Sequence, residues 1–202
     1  MLALVTPPAS LPVSVAEAKR HLRVVTTLDD DLIAALVAAA TGRVQTVTGR
    51  QLIQCTYELS LNQTPSGSVL YLPRPPLASV TAITYLDTAG VEQTWSSSNY
   101  QVRDADPVTN SSPDGFVGPG YIVPAPGVSW PSTITDTIRV FRVQFVAGYG
   151  TSGATVPAAL KHAILLLVGA WHEQTEDVGH ITTSAALALM TPYKVFTCAQ
   201  AD

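Results

Sequence analysis

Residues 29–49 have the sequence DDDLIAALVAAATGRVQTVTG, which decides the fold class of the amino-terminal part of the chain. The aspartates at its start suit the positive end of a helix dipole, and Gly49 is a typical residue just beyond a helix C-terminus. The stretch therefore predicts a long helix with one buried face. Apolar residues recur at helical spacing along that face: Leu32, Ile33, Leu36, Val37, Ala40, Val44 and Val47.

The residues before this helix predict an extended arm and a short helix. Three prolines lie within residues 1–13, where they interrupt any helix. Ser14 and Glu17 have the spacing of a capping box, in which each side chain accepts a hydrogen bond from the other's backbone N–H. A short helix is expected from there to about Val24.

After Leu52 the apolar period changes from helical spacing to two, which is typical of β-strands. Residues 104–137 are rich in Pro, Gly, Ser and Asp, with a short apolar island at Tyr121–Val123, and predict a loop with at most a brief hairpin. The sequence thus predicts an antiparallel β-rich insertion over about residues 52–150. Its expected strands are Thr56–Leu61, Ser68–Leu72, Val80–Leu86, Val91–Trp95, Tyr100–Arg103 and Ile138–Val146.

Two further helices are predicted after the insertion. Pro157 suits the first position of a helix that ends near Glu176, and Pro192 stops a shorter helix at about Thr183–Met190. The predicted fold class is α+β, a small helical bundle of two N-terminal and two C-terminal helices with the β insertion between them. We expect an arm at 1–13, a single domain at 14–192 with helices in 14–49 and 157–192, and a C-terminal tail at 193–202.

Composition excludes several functional classes. Only 13% of the residues are charged, the formal net charge is -4, and Lys and Arg are scattered singly. A protein whose main function is to bind duplex DNA usually carries a basic patch. Duplex DNA binding is therefore not expected as the main function of this chain. The two cysteines have no zinc-like spacing. The longest apolar runs, Leu32–Ala40 and Ala163–Trp171, are about half of the ~18 residues of a membrane span. We expect a soluble protein made in the cytoplasm, without metal or cofactor.

One glycine motif could indicate an enzyme. Gly148–Gly153 matches G-x-G-x-x-G between a predicted strand and a predicted helix, as in dinucleotide-binding folds. However, Arg139, Arg142 and Gln144 interrupt the preceding strand, whereas a buried parallel strand is nearly all apolar. Pro157 also starts the helix after the third glycine, where the motif itself should open it. A glycine-rich turn is the preferred interpretation, and a nucleotide-binding enzyme remains the alternative from another class.

Other candidate motifs are weaker still. Ser152 lies in a near match to the nucleophile elbow G-x-S-x-G, but the last glycine is absent. His172, Glu176 and His180 would share a helix face only if the helix continued past Gly179, so a polar surface stripe is preferred over a metal site. Arg74 lies in the Pro-rich segment Leu72-Pro73-Arg74-Pro75-Pro76-Leu77, which is stiff and extended. A rigid connection between strands is preferred for this segment over a ligand for an SH3-like groove.

Several stretches occur in an order that is typical of one known family. They are Ser14–Val24, Asp29–Gly49, Thr48-Gly49-Arg50, Leu72–Leu77, Val80–Tyr85, Tyr121–Pro124 with Trp130-Pro131, Val146–Gly150, and Val156-Pro157 with Ile164–Leu167 and Trp171. Together they resemble the head–tail connector family, the adaptor or head-completion proteins of long-tailed phages and gene-transfer particles. The resemblance spans roughly residues 14–193, while the 104–120 segment and the tail after Tyr193 depart from it.

This resemblance implies a non-enzymatic virion protein in the neck of a phage or phage-like particle. About a dozen copies would form a homo-oligomeric ring under the portal protein, extend the DNA channel and dock the tail or a tail-side neck protein. DNA would only pass through the channel. A tail-completion or neck protein at another position is the structural alternative.

The family carries no catalytic residues, so none are assigned here. We expect the two chain ends to bind neighbouring proteins, because segments that order only on binding suit assembly in sequence. The interface residues predicted are Tyr193, Lys194, Val195, Phe196, Leu2, Leu4 and Arg74.

Overall fold

The computed structural model describes residues 1–103, 119–173 and 184–195. Within these residues the chain forms two compact units, one built from 1–7 and 54–148 and the other from 8–53 and 149–195. The α+β class and the antiparallel strands agree with the sequence-based prediction. In chain order the elements are β1 Leu2–Thr6, α1 Val15–Leu22, α2 Asp30–Thr48, β2 Cys55–Leu61, β3 Leu70–Tyr71, β4 Leu77–Leu86, β5 Glu92–Thr94, β6 Tyr100–Arg103, β7 Tyr121–Pro124, β8 Phe141–Ala147, α3 Ala158–Glu173 and α4 Ser184–Met190.

The helical unit is organised around one apolar core. Ser14 caps α1 with the predicted capping box, and α2 ends at Gly49, whose φ of 72° is in the left-handed region. All four helices contribute to the core, in agreement with the predicted bundle. Its fully buried side chains include Ala18, Ile33, Val37, Ala40, Val44, Leu160, Ile164, Leu167 and Ala186.

The β unit contains a five-stranded and a three-stranded antiparallel sheet. The strand orders are β1-β2-β8-β4-β5 and β3-β7-β6. In the central strand β8, Phe141, Val143, Phe145 and Ala147 are buried and alternate with half-buried residues. This strand begins at Phe141, three residues later than predicted; Arg139, just before it, has a φ of 57°, which a strand does not allow.

Residues 1–13 differ from a free arm. The backbone of Leu2–Thr6 is extended, as expected, but it pairs antiparallel with β2 and forms one edge of the larger sheet. The pairing has an irregularity between Leu4 and Thr6. The sequence pattern could not reveal this, because the pairing joins residues that are distant in sequence, such as Leu2 and Leu59.

Candidate interface sites

The C-terminal segment Tyr193–Val195 is anchored on the end of α2. The N–H of Val195 donates to the carbonyl of Thr48 at 2.9 Å, and the Arg50 Nε donates to the carbonyl of Tyr193 at 2.6 Å. Tyr193, Lys194 and Val195 are each half-buried. Three of the predicted interface residues therefore lie together at the point where the described chain ends, while Phe196 lies outside the described residues.

Arg50 holds this segment from inside the helical unit. Its side chain is 1% exposed, and burial lowers its pKa, while the nearby Tyr149 phenol opposes that shift. Burial also raises the pKa of Tyr149, and the Arg50 charge opposes the rise. A buried guanidinium must hydrogen-bond or pair to offset its desolvation, and the Tyr193 carbonyl supplies one such partner. Sequence reasoning gave Arg50 no role, although its position directly after Gly49 was noticed.

Arg74 lies in the β unit and faces strand β2. It follows β3 with a φ of 62° and is half-buried. Burial raises the pKa of Cys55 and raises that of Tyr57 to about 12, and in both cases the Arg74 charge opposes the shift. Pro75 and Pro76 are buried, and the Pro76 carbonyl accepts a hydrogen bond from the N–H of Gly148 at 2.9 Å. The Pro-rich segment is therefore an integrated connection between strands, as preferred from the sequence.

Leu2 and Leu4 both lie in the edge strand β1. Leu2 packs against the core of the β unit, whereas Leu4 is 52% exposed. Val5 beside it is 48% exposed. Leu2 and Leu4 thus lie in the edge strand and Arg74 in the connection between β3 and β4, all within the β unit, and Tyr193–Val195 belongs to the helical unit.

The glycine motif does not have the geometry of a nucleotide cradle. Its preceding strand, β8, pairs antiparallel with both neighbours, whereas the motif belongs to a parallel βαβ unit. A Cβ on Gly153 would lie 2.2 Å from the carbonyl oxygen of Pro12, and one on Gly150 would lie 2.4 Å from the Thr155 hydroxyl oxygen. These glycines are needed because the chain packs closely against itself there. The structure supports the glycine-rich turn.

The histidines do not assemble a metal site among the described residues. His172 lies in the last turn of α3, while Glu176 and His180 lie outside the described residues. His162 contacts His21 edge-to-face, with ring centroids 6.2 Å apart. Residues 1–103, 119–173 and 184–195 contain no cluster of three or more His, Cys, Asp or Glu suited to a metal ion.

Two tryptophans that are distant in sequence meet in the β unit. The rings of Trp95 and Trp130 are 5.1 Å apart, and Tyr100 stacks on Trp95 at 5.4 Å. The fold thus brings these two residues together although they lie in different stretches of the sequence. Trp95 is only 6% exposed and belongs to the core of the β unit, so it offers no open face for base stacking.

A surface hollow of about 420 Å³ lies beside the second tryptophan. The indole N–H of Trp130 donates to the Gly67 carbonyl at 2.8 Å, so its one polar group is already used within the chain. The hollow is lined by Ser66, Gly67, Ser68, Val123, Pro124, Val128, Ser129 and Trp130.

Within the described ranges, no helix combines the length and apolar character of a membrane span.

Comparison with known proteins gives a likeness in structure alone. No protein-family model matches the chain. No curated protein matches it significantly in sequence.

Solved structures of gene transfer agent (GTA) particles contain chains of the same fold. A chain in the neck of an empty GTA particle, computed with C6 symmetry, aligns with a TM-score of 0.80 at 25% identity, covering 100% of this chain and 98% of that one. Chains from the virion of a native GTA particle and from the neck of a native particle computed with C12 symmetry align with TM-scores of 0.78 and 0.77, at the same identity and coverage. The fold and the comparison thus define the class of this protein, which is that of structural components of phage-like particles. Within it, the matched chains belong to particle necks and to a virion.

Proposed function

We propose that this chain is a head–tail adaptor, a structural subunit of the neck of a phage-like particle. Many copies would form a ring under the portal protein, extend the DNA channel, and dock the tail or the next neck protein. The observation that carries the proposal is the full-length alignment, with a TM-score of 0.80, to a chain of a GTA neck. The alignment covers 100% of this chain and 98% of the other, so the likeness extends over both units of the fold.

The ring follows from the kind of assembly in which the matched chains occur. Two of the matched structures are necks computed with C6 and C12 symmetry. Cyclic assemblies repeat one subunit head to tail, so each subunit needs two different lateral surfaces. A ring of about a dozen copies fits the twelvefold symmetry and the implication of the family resemblance.

The charge of the chain suits a protein that DNA passes without binding. Its formal net charge is -4, and a mildly acidic surface repels a polyanion. We assign the chain no enzymatic activity and no cofactor. The glycine motif is the strongest signal in the sequence for a bound nucleotide. The space beside Gly153 is occupied by Pro12, and the space beside Gly150 is occupied by Thr155.

The contact residues of this proposal are those predicted from the sequence. Tyr193, Lys194 and Val195 form an anchored base from which Phe196 and the rest of the C-terminal sequence continue. Leu2, Leu4 and Arg74 are the proposed contacts in the β unit. Because the base is fixed by the bonds to Thr48 and Arg50, less entropy has to be lost when a partner binds there.

The first test is mass photometry of the purified chain, alone and mixed with the portal ring of the same particle. We expect the mass of the portal ring to rise by many subunits and to saturate at a fixed ratio. Absence of association at micromolar concentrations would contradict the adaptor role. Binding to an isolated tail but not to the portal would instead identify a tail-completion protein.

A truncation after Tyr193 tests the C-terminal contact separately. Removing residues 194–202 deletes the Val195–Thr48 hydrogen bond, which contributes about 1 kcal/mol, so the fold should persist. We expect weaker attachment to the particle and an unchanged circular-dichroism spectrum. Loss of the fold, or attachment equal to that of the full chain, would contradict this assignment.

A further inference from the structure

We propose that the two edges of the five-stranded sheet pair between neighbouring copies, so that β1 of one copy joins β5 of the next and the sheets run on around the ring. This pairing rests on the proposed function for its cyclic arrangement. It names the lateral contact of the ring, which the proposed function leaves open.

One edge is β1, where backbone groups point away from the sheet. Met1 and Ser60 exchange hydrogen bonds of 2.6 and 2.8 Å. Antiparallel pairs alternate between bonded and non-bonded residues. The N–H and C=O of Leu2 and Leu4 therefore point to the side of β1 on which no described strand pairs. An edge strand of this kind is a template for pairing with another chain.

The other edge is β5, which belongs to a tightly fixed hairpin. The Asp87 carboxylate accepts the N–H groups of Ala89 and Val91 at 2.9 and 3.0 Å, and the Gln93 amide at 3.0 Å. The N–H of Trp95 donates to the Ile83 carbonyl at 2.8 Å. By the same alternation, Gln93 bonds inward, and the backbone groups of Glu92 and Thr94 point outward.

The strand directions allow the two edges to meet in a ring. Each neighbouring pair along β1-β2-β8-β4-β5 is antiparallel. Four reversals leave β1 and β5 running in the same direction. A cyclic rotation preserves direction relative to its axis, so the facing edges of two adjacent copies are parallel strands. The backbone N–H and C=O groups that point outward from Leu2 and Leu4 in one copy are then spaced like those of Glu92 and Thr94 in the next.

Exposed apolar side chains flank both edges. Leu4 and Val5 are 52% and 48% exposed on β1, and Val91 is 55% exposed just before β5. Pairing would remove part of this surface from water while satisfying backbone groups, the combination that drives strand addition in peptide recognition. A second copy of this chain supplies both complementary edges at once.

Proline substitutions test the pairing at each edge. Leu4→Pro and Thr94→Pro each remove an N–H that points outward, which edge strands tolerate, while Leu4→Ala and Thr94→Ala keep that N–H. Mass photometry with the portal ring and sedimentation of the chain alone measure assembly, and circular dichroism checks the fold. We expect each proline variant to assemble at least about tenfold more weakly than its alanine control. An equal mixture of the two proline variants should stop at two copies, because only one intact edge pair remains.

Each other outcome has a definite meaning. Full rings from both proline variants would overturn the edge pairing and leave the adaptor role intact. Assembly lost in Leu4→Pro but kept in Thr94→Pro would overturn it in favour of a twofold β1–β1 contact. If the wild-type chain does not bind the portal but self-associates through these edges, the edge pairing is supported and the adaptor role is contradicted. If the wild-type chain neither binds the portal nor self-associates, both proposals are contradicted. Should Leu4→Pro fail to fold, Thr94→Pro decides alone.

Discussion

The N–H of Val195 donates to the carbonyl of Thr48 at 2.9 Å, so the C-terminal segment closes the end of α2. Thr48 is the last residue of that helix, and carbonyls at a helix end have no partner within the helix. A Cβ on Gly49 would lie 3.6 Å from the Cβ of Val195, which shows how closely the two segments approach. The segment proposed to contact partners therefore starts from a fixed point.

Arg50→Ala should release this segment. The substitution removes the buried Nε donor from the Tyr193 carbonyl, and hydrogen bonds to charged groups are worth about 1.5–3 kcal/mol. We expect the free energy of unfolding in urea to fall by about 2–3 kcal/mol and the Val195 amide to exchange faster with deuterium.

Arg20→Ala is the matched control for this change. Arg20 is an exposed arginine on α1, and substitutions at such positions usually shift stability by less than about 0.5 kcal/mol. Equal losses for both variants, or unchanged exchange at Val195 in Arg50→Ala, would show that Arg50 does not hold the segment.

The helices could be predicted closely because their signals are local. The Ser14–Glu17 capping box and the stop at Gly49 both appear as predicted, since capping depends on residues within one turn. Six of the eight described strands were also predicted, although β4 begins at Leu77 instead of Val80. The exceptions are β1, expected as an arm, and β7, expected as at most a brief hairpin in a loop but paired with both β3 and β6. Buried apolar alternation marks a strand wherever it lies in a sheet.

The contacts that define the candidate sites could not be predicted from the sequence. The pairing of β1 with β2, the Arg50–Tyr193 hydrogen bond and the meeting of Trp95 with Trp130 all join distant residues. No periodicity encodes such partners. An extended segment just before three prolines has the same pattern whether it pairs within the chain or stays free, so the sequence predicts β1 only as an arm.

Glu17 should make stability depend on pH in the acid range. The Ser14 N–H at 2.8 Å and, next, Lys161 at 2.9 Å lower the pKa of Glu17 from 4.5 to about 2. A depressed folded-state pKa adds stability that is complete above about pH 4.5 and is lost as the pH falls toward 2. We expect Glu17→Gln to lower the free energy of unfolding by about 1 kcal/mol at neutral pH, with the difference vanishing near pH 2.

Lys161→Met separates the two causes in the same urea titrations. It keeps the Ser14 contribution and removes the ion pair, so its pH dependence should lie between those of the wild type and Glu17→Gln. A difference between wild type and Glu17→Gln that stays constant from neutral pH to about 2 would contradict the depressed pKa.

The Cys55 thiol should be protected from alkylation in the folded protein. It is 3% exposed, and burial raises its pKa, so the reactive thiolate is both scarce and inaccessible. In a Cys198→Ser background, we expect a thiol reagent to label Cys55 only as fast as the β unit opens, and labelling to become rapid in denaturant. Rapid labelling of the native protein would place Cys55 at the surface.

Gly153 and Gly42 should respond oppositely to alanine. A Cβ on Gly153 would lie 2.2 Å from the Pro12 carbonyl oxygen, whereas one on Gly42, within α2, would have no atom within 4 Å. We expect Gly153→Ala to lower the free energy of unfolding by about 1–3 kcal/mol, the usual cost of overpacking. Gly42→Ala should raise it by about 0.5–1 kcal/mol, because alanine favours helix.

The midpoints of urea unfolding measure both changes. Nucleotide added to the wild type should not shift its midpoint. If Gly153→Ala kept full stability, the close approach to Pro12 would be wrong; if nucleotide then stabilised the wild type but not this variant, the glycine motif would become a binding site again.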